Sequence, residues 1–163
     1  YGMDDESAAV AIHAAMLREH FHFLLGWEPS MSWSAFLLSI ENQRRGINLS
    51  PYQVRGRQLV AEVDGEIIGR VSLRFELNEY LTERGGHVGY GVAPAHRRKG
   101  YATEILRQAL VVIRAEGVDP VLVACDDDNV ASSRTIERNG GVLESIAPPN
   151  YGEVESVRRY WIK

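Results

Sequence analysis

One stretch limits what this chain can fold into more than any other: His87-Val88-Gly89-Tyr90-Gly91-Val92-Ala93-Pro94-Ala95-His96-Arg97-Arg98-Lys99-Gly100-Tyr101-Ala102-Thr103. Its first part alternates as a strand does, with Val88, Tyr90 and Val92 on one side and His87, Gly89 and Gly91 on the other. Pro94 has no N–H to give to a ladder, so the strand ends before it. A basic turn follows, and Ala102, Leu106, Ala109, Leu110 and Ile113 then recur at helical spacing. Strand, basic turn with glycine, helix N-terminus: this order builds an anion site. The first N–H groups of a helix have no partner within it, and its dipole adds about half a positive charge. Gly100 lets a ligand approach the backbone where a Cβ would stand in the way.

Elsewhere the pattern predicts a helix over residues 7–25, from Ile12, Met16, Leu17, Phe21 and Leu24, and a second over 32–45 ended by Gly46. His13, His20 and His22 lack the spacing and partners of a metal site and read as helix-surface residues. Two strands, 59–63 and 66–73, flank Asp64-Gly65, a dipeptide suited to a type I′ turn. The second carries apolar residues on both faces, which marks a central strand. After the long helix come a buried-type strand at 121–125, a helix at 129–138, and strands at 142–146 and 154–162. Asp126, Asp127 and Asp128 read as an N-cap with charges favouring the helix dipole rather than as a metal site. The order is α-α-β-β-β-α-β-α-β-β, an α/β fold with a mixed sheet and helices packed on it.

With 163 residues and no linker or repeat, one domain over residues 3–163 is expected, large enough to bury about two thirds of its unfolded surface. Tyr1-Gly2 ahead of Met3 reads as an expression remnant and is set aside. No apolar run approaches the roughly 20 residues of a membrane span, and the single cysteine, Cys125, fits a reducing cytoplasm. A net charge of −4 argues against a nucleic-acid binder whose whole surface is basic. Charges act over about 8 Å in salt, so the local cluster of Arg97, Arg98 and Lys99 matters more to an anion than the total.

Spacing decides which anion. GxxxxGK(S/T) does not occur, and Gly89-Tyr90-Gly91 is followed by Val92, Ala93 and Pro94, so GxGxxG fails. Arg97-Arg98-Lys99-Gly100-Tyr101-Ala102 reads as (Q/R)-x-x-G-x-(G/A) after a strand ending V-x-P. This resembles the acetyl-coenzyme A signature of the Gcn5-related N-acetyltransferases (GNAT). A second family segment, N-x-x-(A/S)-x-x-x-(Y/x)-E-K-x-G-F, is answered by Asn129, Ser132, Glu137, Arg138 and Gly140. Arg74-Phe75-Glu76-Leu77-Asn78, Gly86-His87-Val88-Gly89-Tyr90 and Arg159-Tyr160-Trp161-Ile162 resemble a bacterial branch of predicted acetyltransferases. The element order resembles the GNAT fold throughout, except that the family's usual first strand is not evident.

The resemblance implies an N-acetyltransferase that moves an acetyl group from acetyl-CoA, its cosubstrate, to a primary amine by direct attack in a ternary complex. The alternative is a catalytically silent CoA-binding or sensing module. The acceptor would be a small-molecule or protein amine, with no metal, nucleic acid or membrane involved, and the family admits a homodimer through its C-terminal edge strands. Tyr90 and Val92 would hold the pantetheine arm. Arg97, Arg98, Lys99, Gly100, Tyr101, Ala102 and Thr103 would hold the pyrophosphate, chiefly through the N–H groups from Arg98 to Thr103. Asn129 and Ser132 would lie near the pantetheine or adenosine phosphates. The tyrosine that many members use to protonate the leaving thiolate is Ile136 here; Tyr151 and Tyr160 are possible acids, and a thiol pKa near 8.5 makes a dedicated acid dispensable.

An alkylammonium of pKa about 10.4 must lose its proton before attack, a deficit of about 4.6 kcal/mol at pH 7. His87 is the first candidate base, since an imidazole pKa near 6.5 suits the task. Period-2 alternation puts it opposite Val88 and Tyr90 unless a bulge turns it, so a hydrogen-bonded structural histidine is the competing reading. Glu76 and Glu79 are the next candidates, or else solvated charges. Cys125, in an apolar strand, reads as core rather than nucleophile.

Overall fold

The structure, a computed structural model, describes residues 1–163. A short 3₁₀ turn, Met3–Asp5, leads into α1 (Glu6–Leu17) and α2 (Trp33–Arg45), with no strand before them. Then come β1 (Gly56–Val63), β2 (Glu66–Arg74), β3 (Val88–Val92), α3 (Tyr101–Ala115), β4 (Val121–Asp126), α4 (Val130–Arg138), β5 (Val142–Ala147) and β6 (Val157–Ile162). This is the α/β order expected. The strands form one six-stranded sheet, β1-β2-β3-β4-β6-β5. All neighbours are antiparallel except β3 and β4, which run parallel.

Local chemistry explains most boundaries. Asp64 and Gly65 both have left-handed backbones, φ 51° and 80°, as a type I′ turn requires. Ser32 caps α2 by accepting the Ala35 N–H at 3.3 Å, and the left-handed Gly46 ends it. Val71, Leu73, Val88 and Val92 share one sheet face and pack with Leu106, Leu110 and Ile113 of α3 into the main core. Trp33, Phe36, Phe23, Leu24 and Met16 form a second core, under α1 and α2.

Five expectations need correction. The first helix ends at Leu17, not Leu25. The apolar repeat through Phe21 and Leu24 belongs to chain folded back across α1, where the Leu24 N–H finds its acceptor in His13 Nδ1 at 3.0 Å. His13 is therefore buried, not on the helix surface, and burial, aided by the His22 charge, lowers its pKa. Tyr1-Gly2 is part of the fold: the Tyr1 ring meets Trp33 and Phe36 edge-on, and Trp33 Nε1 donates to Gly2 O at 2.9 Å. The α4 N-cap is Asn129, whose side chain accepts the Ser132 N–H at 3.0 Å, while Asp127 takes Arg158 Nε at 2.6 Å. The last strand starts at Val157 rather than Val154.

Candidate active site

The site begins where two parallel strands part. β3 and β4 are in register only at Val88 and Val123, and beyond that pair they separate. On its other side β3 stays paired with β2 as far as Gly69 and Val92, and Ala93 N–H donates to Ile68 O. By the two-residue period of an antiparallel ladder, the polar groups of Tyr90 and Val92 turn toward the gap. Val92 O there accepts Arg97 Nε at 3.2 Å. A strand edge is thus left free on one side of a wedge.

At the wide end of the wedge sits the basic turn. Arg98 and Gly100 have left-handed backbones, φ 60° and 83°, and α3 starts at the next residue. The N–H groups of Arg98, Lys99, Gly100, Tyr101 and Ala102 donate to no acceptor in the chain. Successive free N–H groups in such a turn form a concave anion nest, reinforced by the helix dipole. Thr103 departs from the expectation, because its N–H is used within the first turn, on Gly100 O at 3.1 Å. Gly100 is needed for its backbone: a Cβ there would meet nothing within 4 Å, but L residues rarely adopt that φ.

Turn and wedge open into one cleft of about 630 Å³. Tyr90, Val92, Arg97, Arg98, Gly100, Tyr101, Ala102, Thr103, Asn129 and Ser132 all line it. Of the residues predicted to hold the coenzyme, only Lys99 does not. Arg138 adds a cation from α4. Tyr90 spans the wedge, its hydroxyl 2.8 Å from Ser132 Oγ, and burial pushes the phenol up to about 12. Ile136, at the position of the family's tyrosine, is fully buried in the main core.

The candidates for proton transfer lie elsewhere. His87 is buried below the wedge, where its Nδ1 accepts the Leu122 N–H at 2.9 Å and its backbone N–H donates to Leu122 O. Burial lowers its pKa. Glu76 is exposed, 3.8 Å from Arg55. Tyr151 is exposed on the loop before β6, its ring 5.5 Å from that of Tyr80, and Tyr160 is sealed in the core. None of these lines the cleft. Cys125 is half-buried, and burial pushes its thiol up to about 11, so it stays protonated.

Two carboxylates do line the cleft. Glu19 is held by Arg97 at 2.6 Å, which lowers its pKa. Asp126 accepts no hydrogen bond through its side chain, and burial, with help from the Asp128 charge, raises its pKa. The sequence pattern hid Asp126 among three aspartates before a helix. The signal that finds it is the strand period. Val121, Val123 and Cys125 face the main core, so Asp126, last in β4, faces the other way. On that side Phe21 crosses β3, its ring where a Gly91 side chain would be: a Cβ would lie 2.4 Å from it. No group of three His, Cys, Asp or Glu side chains is placed to hold a metal.

The acetyltransferase (GNAT) domain family matches residues 6–142. No curated protein sequence matches the chain. Among solved structures it is similar to Mycobacterium smegmatis RimJ in complex with CoA-disulfide, with a TM-score of 0.72 and 19% identity over 99% of this chain and 78% of that one. A ribosomal-protein-alanine N-acetyltransferase from Brucella melitensis gives 0.68 and 17% over 99% and 95%. Salmonella typhimurium yncA, solved with acetyl-CoA, gives 0.66 and 18% over 100% and 90%. At these identities the likeness is one of fold.

Proposed function

The chain belongs to the GNAT acetyltransferase family, and on that premise we propose that it is an acetyl-CoA-dependent N-acetyltransferase acting on a primary amine by direct attack in a ternary complex. The observation that carries this reading is the row of five unpartnered N–H groups, Arg98 to Ala102, four of whose residues line a cleft together with Arg97 and Arg138. A pyrophosphate is the anion such a row suits, and the free edge at Tyr90 and Val92 suits the amide-bearing pantetheine arm. Acetyl-CoA supplies the acyl thioester. The residues of this chain supply the rest.

Asp126 acts as the base. A carboxylate with a raised pKa holds a proton more readily than an ordinary one, and at the exposed end of β4 it can meet an incoming ammonium and draw its proton. The Val92 N–H faces the wedge, where it stabilises charge on the reacting carbonyl oxygen. Tyr90 takes the place of the missing helix tyrosine, but as a hydrogen-bond donor. A phenol near 12 would give its proton uphill to a thiolate whose thiol has pKa about 8.5, at a cost of roughly 5 kcal/mol. A thiol that acidic leaves as the thiolate, and one donated hydrogen bond suffices.

Thermal unfolding with acetyl-CoA, CoA and ATP in parallel tests the site. Ligand at a hundred times its dissociation constant stabilises the native state by about 2.7 kcal/mol, a midpoint rise on the order of 5–10 °C for a domain this size. Both coenzymes should give it and ATP should not. The buried Ile136 favours one second reading, the silent CoA-binding module. Coenzyme binding without acetyl transfer to any amine would establish that reading instead.

A further inference from the structure

Arg70, Arg74 and Arg84 are largely buried on, or packed against, the sheet face opposite α3 and α4. None of them has a carboxylate partner, although eight other arginine–carboxylate pairs are formed. Buried cations without counter-ions are costly, so each needs a reason. Two have structural ones. Arg70 donates to Gly89 O and Ser72 Oγ at 3.1 Å and to His22 O at 3.0 Å, with its guanidinium 4.7 Å over the Phe21 ring. It fastens the turn after α1 to β3. Arg84 donates to Pro148 O and Glu155 O and fastens the segment between β5 and β6.

Arg74 differs. Its Nη1 donates to Gly85 O and Gly86 O, both at 3.1 Å, which fixes the guanidinium. Its Nε and Nη2 donate to nothing in the chain, yet they are not sealed off as Arg70 Nε is. Nη2 lies 3.4 Å from where a side chain at Gly89 would begin, next to Tyr90, where β3 parts from β4. The Nε–Nη2 edge is the one through which a guanidinium grips a carboxylate with two parallel hydrogen bonds. No carboxylate is among the charges acting on Arg74, and Glu76, Glu83 and Glu153 are engaged elsewhere, with Arg55, Asn150 and the Tyr80 hydroxyl.

We infer that the amine acceptor carries a carboxylate beside its amino group, as a free α-amino acid does, and that Arg74 holds that carboxylate over Gly89. This rests on the transferase reading above.

The test is initial-rate acetylation of the twenty amino acids against their decarboxylated amines, with spermidine alongside, for the wild type, Arg74→Gln and Arg74→Lys. Coenzyme-induced thermal shifts of each variant are measured in parallel and report that the fold is intact. At least one amino acid should exceed its amine in kcat/KM by on the order of 100-fold, because a site built for a polar group rejects the analogue that lacks it. Arg74→Gln should erase the preference by raising KM for the amino acid, with the coenzyme shift unchanged. Arg74→Lys should restore only part, since an ammonium cannot offer two parallel donors. Amines accepted as well as amino acids, a preference that survives Arg74→Gln, or coenzyme binding with no amino acid acetylated would each overturn the inference. No coenzyme binding at all would overturn the transferase reading and this inference with it.

Discussion

The two sides of β3 are built from different material. Toward α3 the cleft is made of backbone: a strand edge at Tyr90 and Val92 and five free N–H groups from Arg98 to Ala102. Toward Phe21 it is made of side chains, with Phe21 itself from the turn after α1 and Asp126 from β4. A backbone site needs only a fixed path for one short stretch of chain. A side-chain site needs elements distant in sequence to converge. The first kind recognises a ligand common to many proteins, and the second is free to differ from one protein to the next.

The largest expected effect breaks the backbone side. Gly100→Glu forces a left-handed L residue, at about 1 kcal/mol, and puts a carboxylate at the anion nest. Coenzyme affinity should fall by more than about 100-fold, since a like charge is set against the pyrophosphate. Gly117→Glu is its control. Gly117 has φ 86° against 83°, and an added Cβ would also meet nothing within 4 Å, but it lies outside the cleft. That variant should lose similar stability and keep its coenzyme shift. Equal affinities for the two variants would remove the anion nest from the account.

Next in size is the side-chain side. Asp126→Asn changes charge without changing shape, and no hydrogen bond to the carboxylate is lost. We expect kcat to fall by about 100-fold or more, as for loss of a general base, with the coenzyme shift intact. A fall below tenfold would return the base to another residue. Tyr90→Phe should cost less, about ten- to a hundredfold in kcat, because one donor is removed while the strand edge stays. A loss of coenzyme affinity instead would make Tyr90 a structural strut of the wedge.

This contrast also explains what could be read from the sequence. The nest was legible because its chemistry is local: Pro94 stops a strand, Gly100 permits a left-handed turn, and the apolar repeat from Ala102 starts a helix. The hairpin at Asp64-Gly65 and the caps of α2 at Ser32 and Gly46 were legible for the same reason. The end of α1 was not, because the left-handed residue that closes it, with the Phe21 N–H returning to Met16 O at 3.1 Å, is His20 (φ 59°) rather than a glycine. Asp126 was concealed because a run of three aspartates does not say which one ends the strand: Asp126 does, while Asp127 beyond it is taken by Arg158. Arg74 was not legible as a site residue, because its free edge and the bare Gly89 come together only across the β2–β3 ladder. His87 had a suitable pKa for a base, but its ring is committed to the Leu122 N–H on the far side of the β3–β4 junction.

The smallest effect is the most specific, because it separates the three aspartates. A base must be deprotonated to work, so the acid limb of the kcat/KM profile reports Asp126, whose pKa is raised first by burial and then by the Asp128 charge. Removing a like charge favours the ionised form. Asp128→Asn should therefore move the limb to lower pH, with a small loss of rate at neutral pH because the weaker base draws the proton less well. Asp127, engaged by Arg158 at 2.6 Å, is not among the charges that act on Asp126, and Asp127→Asn should leave the limb where it was. Glu153→Gln should shift it in the same direction as Asp128→Asn, since that charge also raises Asp126. If Asp128→Asn leaves the limb unmoved while Asp126→Asn abolishes it, burial alone tunes the base. If Asp126→Asn leaves it in place, the titrating group is another, and the side-chain half of the site must be rebuilt around it.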